Sequence, residues 1–121
     1  MERNVSGRLT THVLDTMHGR PASGLSIDLL FVHGDHVHEL KSVITNADGR
    51  ADAPLLVGEH LRRGVYELLF DVGAYYSKLG VGGDLPFLSV VPVRFSVSDP
   101  DLHYHVPLLV SPYGYSTYRG S

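Results

Sequence analysis

The chain predicts an all-β fold, an antiparallel sandwich, and three observations lead there. About seven or eight short segments rich in β-branched and aromatic residues recur along the chain, a number typical of sandwiches. Gly, Pro, Asn and Asp punctuate them, each suited to turns. A single stretch has the length and glycine boundaries of a helix.

Local patterns justify the elements in order. Residues 8–15 alternate, with Leu9, Thr11 and Val13 on one face and Thr10, His12 and Leu14 on the other. Residues 17–21 interrupt that strand. Residues 25–33 form the next, and Gly34-Asp35 turns the chain into a third over residues 37–45. Asn46-Ala47-Asp48-Gly49 is a turn in which Gly49 is free to take a positive φ. Residues 65–72 and 90–97 are further strands. Between them residues 73–80 make two helical turns, with Lys78 near the end where the helix dipole favours a cation and Tyr75 and Tyr76 as packing residues. Residues 103–121 hold two strands joined by Ser111-Pro112-Tyr113-Gly114. Tyr104, Val106, Leu108 and Val110 turn to the core, leaving His103, His105, Pro107 and Leu109 opposite. Beyond the turn, Ser116, Tyr118 and Gly120 share a face opposite Thr117 and Arg119. A mixed imidazole, proline and phenol face suits a pocket wall or an interface better than plain solvent.

Length and composition bound the function. The 121 residues make one domain, residues 7–121, behind a flexible segment 1–6. Such a chain buries roughly two-thirds of its unfolded surface and folds without staples. Cysteine is absent, which removes disulfides, thiolate nucleophiles and Cys-ligated zinc. A net charge of −3 with mixed signs lacks the basic face that nucleic acid requires, since Arg62 and Arg63 are too few. No apolar run has signal-peptide or bilayer-spanning length, so a cytoplasmic protein without membrane partners is expected. Chemistry falls to the histidines, carboxylates and arginines. His103 and His105 have a spacing that can grip zinc with His12 as third ligand, whereas His36 and His38 read as solvated edge residues.

Four stretches together are specific. Leu9-Thr10-Thr11-His12-Val13-Leu14-Asp15, Thr45-Asn46-Ala47-Asp48-Gly49-Arg50, His103-Tyr104-His105-Val106-Pro107-Leu108-Leu109-Val110-Ser111-Pro112 and the closing Tyr118-Arg119-Gly120-Ser121 occur in this order. With them the chain resembles the 5-hydroxyisourate hydrolases, transthyretin-related enzymes of urate breakdown, from Gly7 onward. The resemblance implies a transthyretin-like sandwich of two four-stranded sheets with one short helix. It also implies a homotetramer, a dimer of dimers, whose sites lie along a central channel.

Carried over by residue, the resemblance makes His12, Arg50 and His105 catalytic. Tyr118, Arg119, Gly120 and Ser121 join His12 and Arg50 in binding substrate. It implies hydrolysis of 5-hydroxyisourate, without cofactor or metal, by water attacking a cyclic amide with histidine assistance. The alternative is a transthyretin-like binder of small ligands without turnover. In thyroid-hormone-binding transthyretin, lysine and glutamate hold the positions of His12 and Arg50, which favours the enzyme. A purely structural sandwich would leave the polar face without purpose. The segment 86–92 and the missing tryptophan of the third strand depart from the family pattern, and both touch packing rather than chemistry.

Overall fold

A computed structural model describes residues 7–120. The segment 1–6, expected to be flexible, and Ser121 lie outside the described residues. Ten elements follow in order: β1 (Arg8–Asp15), β2 (Arg20–Pro21), β3 (Ser26–His33), β4 (His36–Ile44), β5 (Leu56–Val57), β6 (Gly64–Asp71), α1 (Val72–Lys78), β7 (Val90–Val97), β8 (His103–Ser111) and β9 (Gly114–Thr117). A 3₁₀ turn, Gly58–His60, lies between β5 and β6. One sheet runs β4-β3-β6-β7. The other runs β2-β1-β8-β9, with the two-residue β5 pairing on β1. The two-sheet, single-α-helix architecture is the one expected, and the long strands fall within about a residue of their expected places.

Alternation builds the core. Leu9 and Val13 of β1 meet Tyr104, Val106, Leu108 and Val110 of β8, all buried as the period-two pattern demands. The facing sheet adds Ile27, Leu29, Tyr66, Leu68, Phe70 and Val91. Burying one such large apolar side chain stabilises by about 1.5–3 kcal/mol. Tyr66 also satisfies its hydroxyl, donating to the Arg62 carbonyl at 2.9 Å and accepting the Arg62 N–H at 3.0 Å.

Two details depart from the expected pattern. The β1–β8 pair is parallel, from Arg8↔His103 to Asp15↔Val110, while the remaining strand pairs are antiparallel. A parallel pair needs a long crossover, and the other sheet supplies it. Pro107 is buried although it sits on the non-core face of β8. Its carbonyl accepts a hydrogen bond from Thr117 Oγ1 at 2.6 Å, so this backbone edge faces β9 rather than β1. The pairing of β9 stops at Leu108↔Thr117, and the missing proline N–H therefore costs no ladder bond.

Tyr75 and Tyr76 pack inward as expected, and they do more. Asp15 is buried at the end of β1, where Tyr75 donates to Oδ2 at 2.7 Å and Tyr76 to Oδ1 at 2.8 Å. His18 Nδ1 lies 2.6 Å from Oδ2, and the Met17 and His18 amides donate to Oδ1 at 3.1 Å each. Tyr76 also reaches the Val110 carbonyl at 3.0 Å. One carboxylate thus ties the helix to the sheet that carries the histidines.

Candidate active site

The parallel register sets the site. It aligns Thr10 with His105, Arg8 with His103 and His12 with Pro107 on the outer face of β1 and β8. His12, His103 and His105 are all partly exposed there.

A turn brings Arg50 to the same face. Asn46 Oδ1 accepts the Asp48 amide at 2.9 Å and the Arg50 amide at 3.2 Å. Gly49 takes φ 73°, and a Cβ on it would fall 2.4 Å from the Val13 carbonyl oxygen. Only glycine serves here. The Val13 N–H then donates to the Gly49 carbonyl at 2.8 Å, clamping the turn one residue from His12.

Electrostatics couple these groups. Burial, then the positive field of Arg50, hold the His12 imidazole below its ordinary pKa, against a backbone hydrogen bond and the charge of Asp48. His105 is lowered by burial first, then by Arg50, His103 and His12. His103 is lowered by burial and by Arg8. Neutral imidazoles beside a fixed guanidinium are a base set next to an anion stabiliser. A pocket of ≈ 160 Å³ opens between Thr10, Arg50, Asp52 and Pro54.

Thr10 is the polar group that sequence reading left without a role. Its Oγ1 lies 2.8 Å from both His103 Nε2 and His105 Nδ1. Its place on the His12 face was visible, but the strand pairing that brings it to His105 was not.

The tail residues divide. The Gly120 N–H donates to the His105 carbonyl at 2.7 Å, and a Cβ on Gly120 would fall 2.7 Å from His105 Cδ2. The Gly120 backbone therefore lies close against that imidazole. Arg119 points elsewhere, its guanidinium 4.5 Å above the ring of Tyr104, a core-face residue. Tyr118 is exposed and lines a cleft toward β7 with Thr117 and Arg119. So His12, Arg50, His105 and Gly120 come together within one chain, and Tyr118 and Arg119 stand apart from them.

Among the described residues, no three His, Asp or Glu side chains are arranged to hold a metal ion. A larger cavity of ≈ 610 Å³ opens near Leu40, Val57, His60 and Tyr66. It contains none of the clustered histidines, and the Tyr66 hydroxyl beside it is already satisfied.

Fold and site together define a class: a two-sheet sandwich carrying a histidine–arginine cluster on the outer face of one sheet. The chain belongs to the HIUase/Transthyretin family, whose pattern matches residues 9–120. It is 59% identical over 117 residues to 5-hydroxyisourate hydrolase 2 of Rhizobium meliloti, covering 96% of this chain and 98% of that one. Against the 5-hydroxyisourate hydrolase of Mus musculus the identity is 41%, over 96% of this chain and 97% of that one. Among solved structures, the Klebsiella pneumoniae 5-hydroxyisourate hydrolase matches with TM-score 0.79 and 34% identity, over 94% of this chain and 99% of that one. An (S)-allantoin synthase matches with TM-score 0.92 and 43% identity; the match covers 98% of this chain and spans only 45% of the synthase.

Proposed function

We propose that this chain hydrolyses 5-hydroxyisourate to 2-oxo-4-hydroxy-4-carboxy-5-ureidoimidazoline, opening the six-membered ring at its amide-like bond. The carrying observation is the convergence of His12, His105 and Arg50 on one face, with both imidazoles held toward their neutral form. The curated relatives bearing the hydrolase name are similar over nearly the whole chain.

The mechanism follows from the groups present. A water held between His12 and His105 gives a proton to a neutral imidazole as it attacks the carbonyl carbon. Arg50 faces the developing oxyanion with a rigid fork of donors. The protonated imidazole then returns its proton to the departing ring nitrogen. Direct attack by water suffices, without a covalent enzyme intermediate.

The histidine face is open in the single chain. We infer that it becomes the wall of a channel in a dimer of dimers, where Tyr118, Arg119 and Ser121 complete the substrate contacts and the tetramer works in the cytoplasm. Among the described residues, no helix is long and apolar enough to cross a membrane.

Freshly made 5-hydroxyisourate, followed by its ultraviolet absorbance against a no-protein control, tests the reading. Strong acceleration that survives a chelator is expected from a species that sediments as a tetramer. Acceleration lost with chelator would point to a three-histidine metal site. Absent acceleration by a verified tetramer would leave a ligand binder without turnover.

A second test uses the packing at the tail. Gly120→Ala pushes a methyl into the His105 ring and is expected to cost about 10²-fold in kcat/KM, as a displacement near 1 Å can. The unfolding midpoint should barely move. Wild-type turnover in this variant would separate Gly120 from the site.

A further inference from the structure

Thr10 and His103 have no part in the reaction just described, yet they adjoin its base. Thr10 Oγ1 lies 2.8 Å from His105 Nδ1 and 2.8 Å from His103 Nε2. The two ring centroids are 6.3 Å apart, too far for the imidazoles to share a hydrogen bond directly. Among the described residues, the Thr10 hydroxyl is the hydrogen-bonding link between them.

A hydroxyl has one hydrogen to give, and a neutral imidazole has one N–H and one bare nitrogen. With both rings neutral and the hydroxyl hydrogen given to one of them, the bridge has two ordered states. In the first, His105 Nδ1–H donates to Thr10 Oγ1, and the Thr10 hydroxyl donates to His103 Nε2. His105 then presents a bare Nε2, a base. In the second, His103 Nε2–H donates to Thr10, which donates to His105 Nδ1. His105 then presents Nε2–H, an acid.

We propose that Thr10 is a positioning residue that joins His103 to His105 as a proton relay, setting which form of His105 the substrate meets. The proposal rests on the hydrolase reading and assigns the proton ledger within it. Attack by water breaks an O–H bond and forms N–H at His105 Nε2. The Nδ1 proton passes to Thr10 Oγ1 as the Thr10 proton passes to His103 Nε2. The positive charge thus moves to His103, away from Arg50 and the reacting carbonyl. When the ring nitrogen departs, it takes the proton on His105 Nε2, and His103 returns its own through Thr10 to Nδ1. No proton is gained or lost overall.

Placement supports this direction. Arg50, His103 and His12 all weigh against a positive charge on His105, whereas on His103 the opposing charge is that of Arg8. Among the described tail residues, Gly120 packs on His105 and contributes no charge. Storing the proton on His103 takes it out of the field that Arg50 sets up for the oxyanion.

Thr10→Val keeps the shape and β-branching while removing the bridge, and Thr10→Ser keeps the hydroxyl. Expected for Thr10→Val is a loss of about 10- to 100-fold in kcat with little change in KM, part of what positioned acid–base catalysis supplies. The acid limb of the pH profile should move as well. Thr10→Ser should recover most of the rate, and Thr10→Val combined with His103→Gln should be no worse than either alone. An unchanged rate and pH profile in Thr10→Val, or equal losses in the Val and Ser variants, would overturn the relay. Ring-nitrogen NMR of labelled histidines tests it without substrate, and so separates its failure from failure of the hydrolase reading. The wild type should show His103 and His105 as ordered, coupled tautomers that become mixed and titrate independently in Thr10→Val. Spectra unaltered by that substitution would end the proposal even if the enzyme is active.

Discussion

His105→Asn is expected to lower kcat by about 10²- to 10⁴-fold, the usual contribution of a positioned general acid–base group, with assembly and unfolding midpoint intact. Asparagine matches part of the imidazole's shape and none of its basicity. His12→Asn should fall in the same range if both rings hold the water. The pH dependence has a definite sign. Burial and then Arg50 hold both imidazoles below the ordinary value of about 6.5. The neutral, base-competent forms therefore persist into mildly acidic solution, and kcat/KM should decline only below the usual imidazole range. Arg50→Gln removes the positive charge that acts most on both rings, so its acid limb should move to higher pH while its maximal rate drops. An acid limb unmoved in Arg50→Gln would show that burial alone sets these values. A fully active His105→Asn would remove that ring from the mechanism.

Asp15→Ala should be the most destabilising single change near this sheet, by about 3 kcal/mol or more, because it strands buried donors that one carboxylate now serves. Tyr75, His18 and two backbone amides lose their acceptor, and Tyr76 keeps only the Val110 carbonyl. The thermal midpoint should fall by about 10 °C for a chain of this size. The tyrosines carry the same signature. Burial and the Asp15 carboxylate push Tyr75 up to about 12 and raise Tyr76 as well. Burial works against the charge on Asp15, but Tyr75, His18 and Tyr76 outweigh it and hold the carboxyl below its ordinary range. A carboxyl depressed in the fold adds stability that is complete above its unfolded pKa of about 3.9 and is lost as pH falls through the folded value. Asp15→Asn should therefore flatten the acid side of the stability curve. Guanidinium titrations from pH 2 to 7 would measure it, and an acid side as steep as the wild type's would assign the effect to other carboxylates.

What could be read from sequence was whatever depends on neighbours along the chain. Alternation set the faces of residues 8–15 and 103–111 correctly, and Gly49 took the positive φ that its turn requires. The helix was marked by its glycines and begins within a residue of the expected start. Pairing between distant strands left no such local trace. The parallel match of Arg8–Asp15 to His103–Val110 therefore went unread, and with it the contact of Thr10 with two imidazoles. Asp15 went unnoticed for the same reason, since its partners lie 60 and 61 residues away. Motif resemblance singled out His12, Arg50 and His105, which the fold brings to one face. It did not distinguish Gly120, which touches the His105 ring, from Arg119, which rests on Tyr104.

The parallel pairing of β1 with β8 also has a kinetic meaning. The sheet β4-β3-β6-β7 closes through short and medium loops, beginning with the tight hairpin His33↔His36. The histidine sheet must join residues as much as 95 positions apart, as Thr10 and His105 are. Long closures are slower because more chain entropy is lost before any contact repays it. The β4-β3-β6-β7 half is therefore expected to assemble first, while β1 still has an unpaired edge. On that order the histidine cluster forms with the last long-range closure, and φ-values near zero for Val13 beside higher ones for Leu29 would be the sign of it.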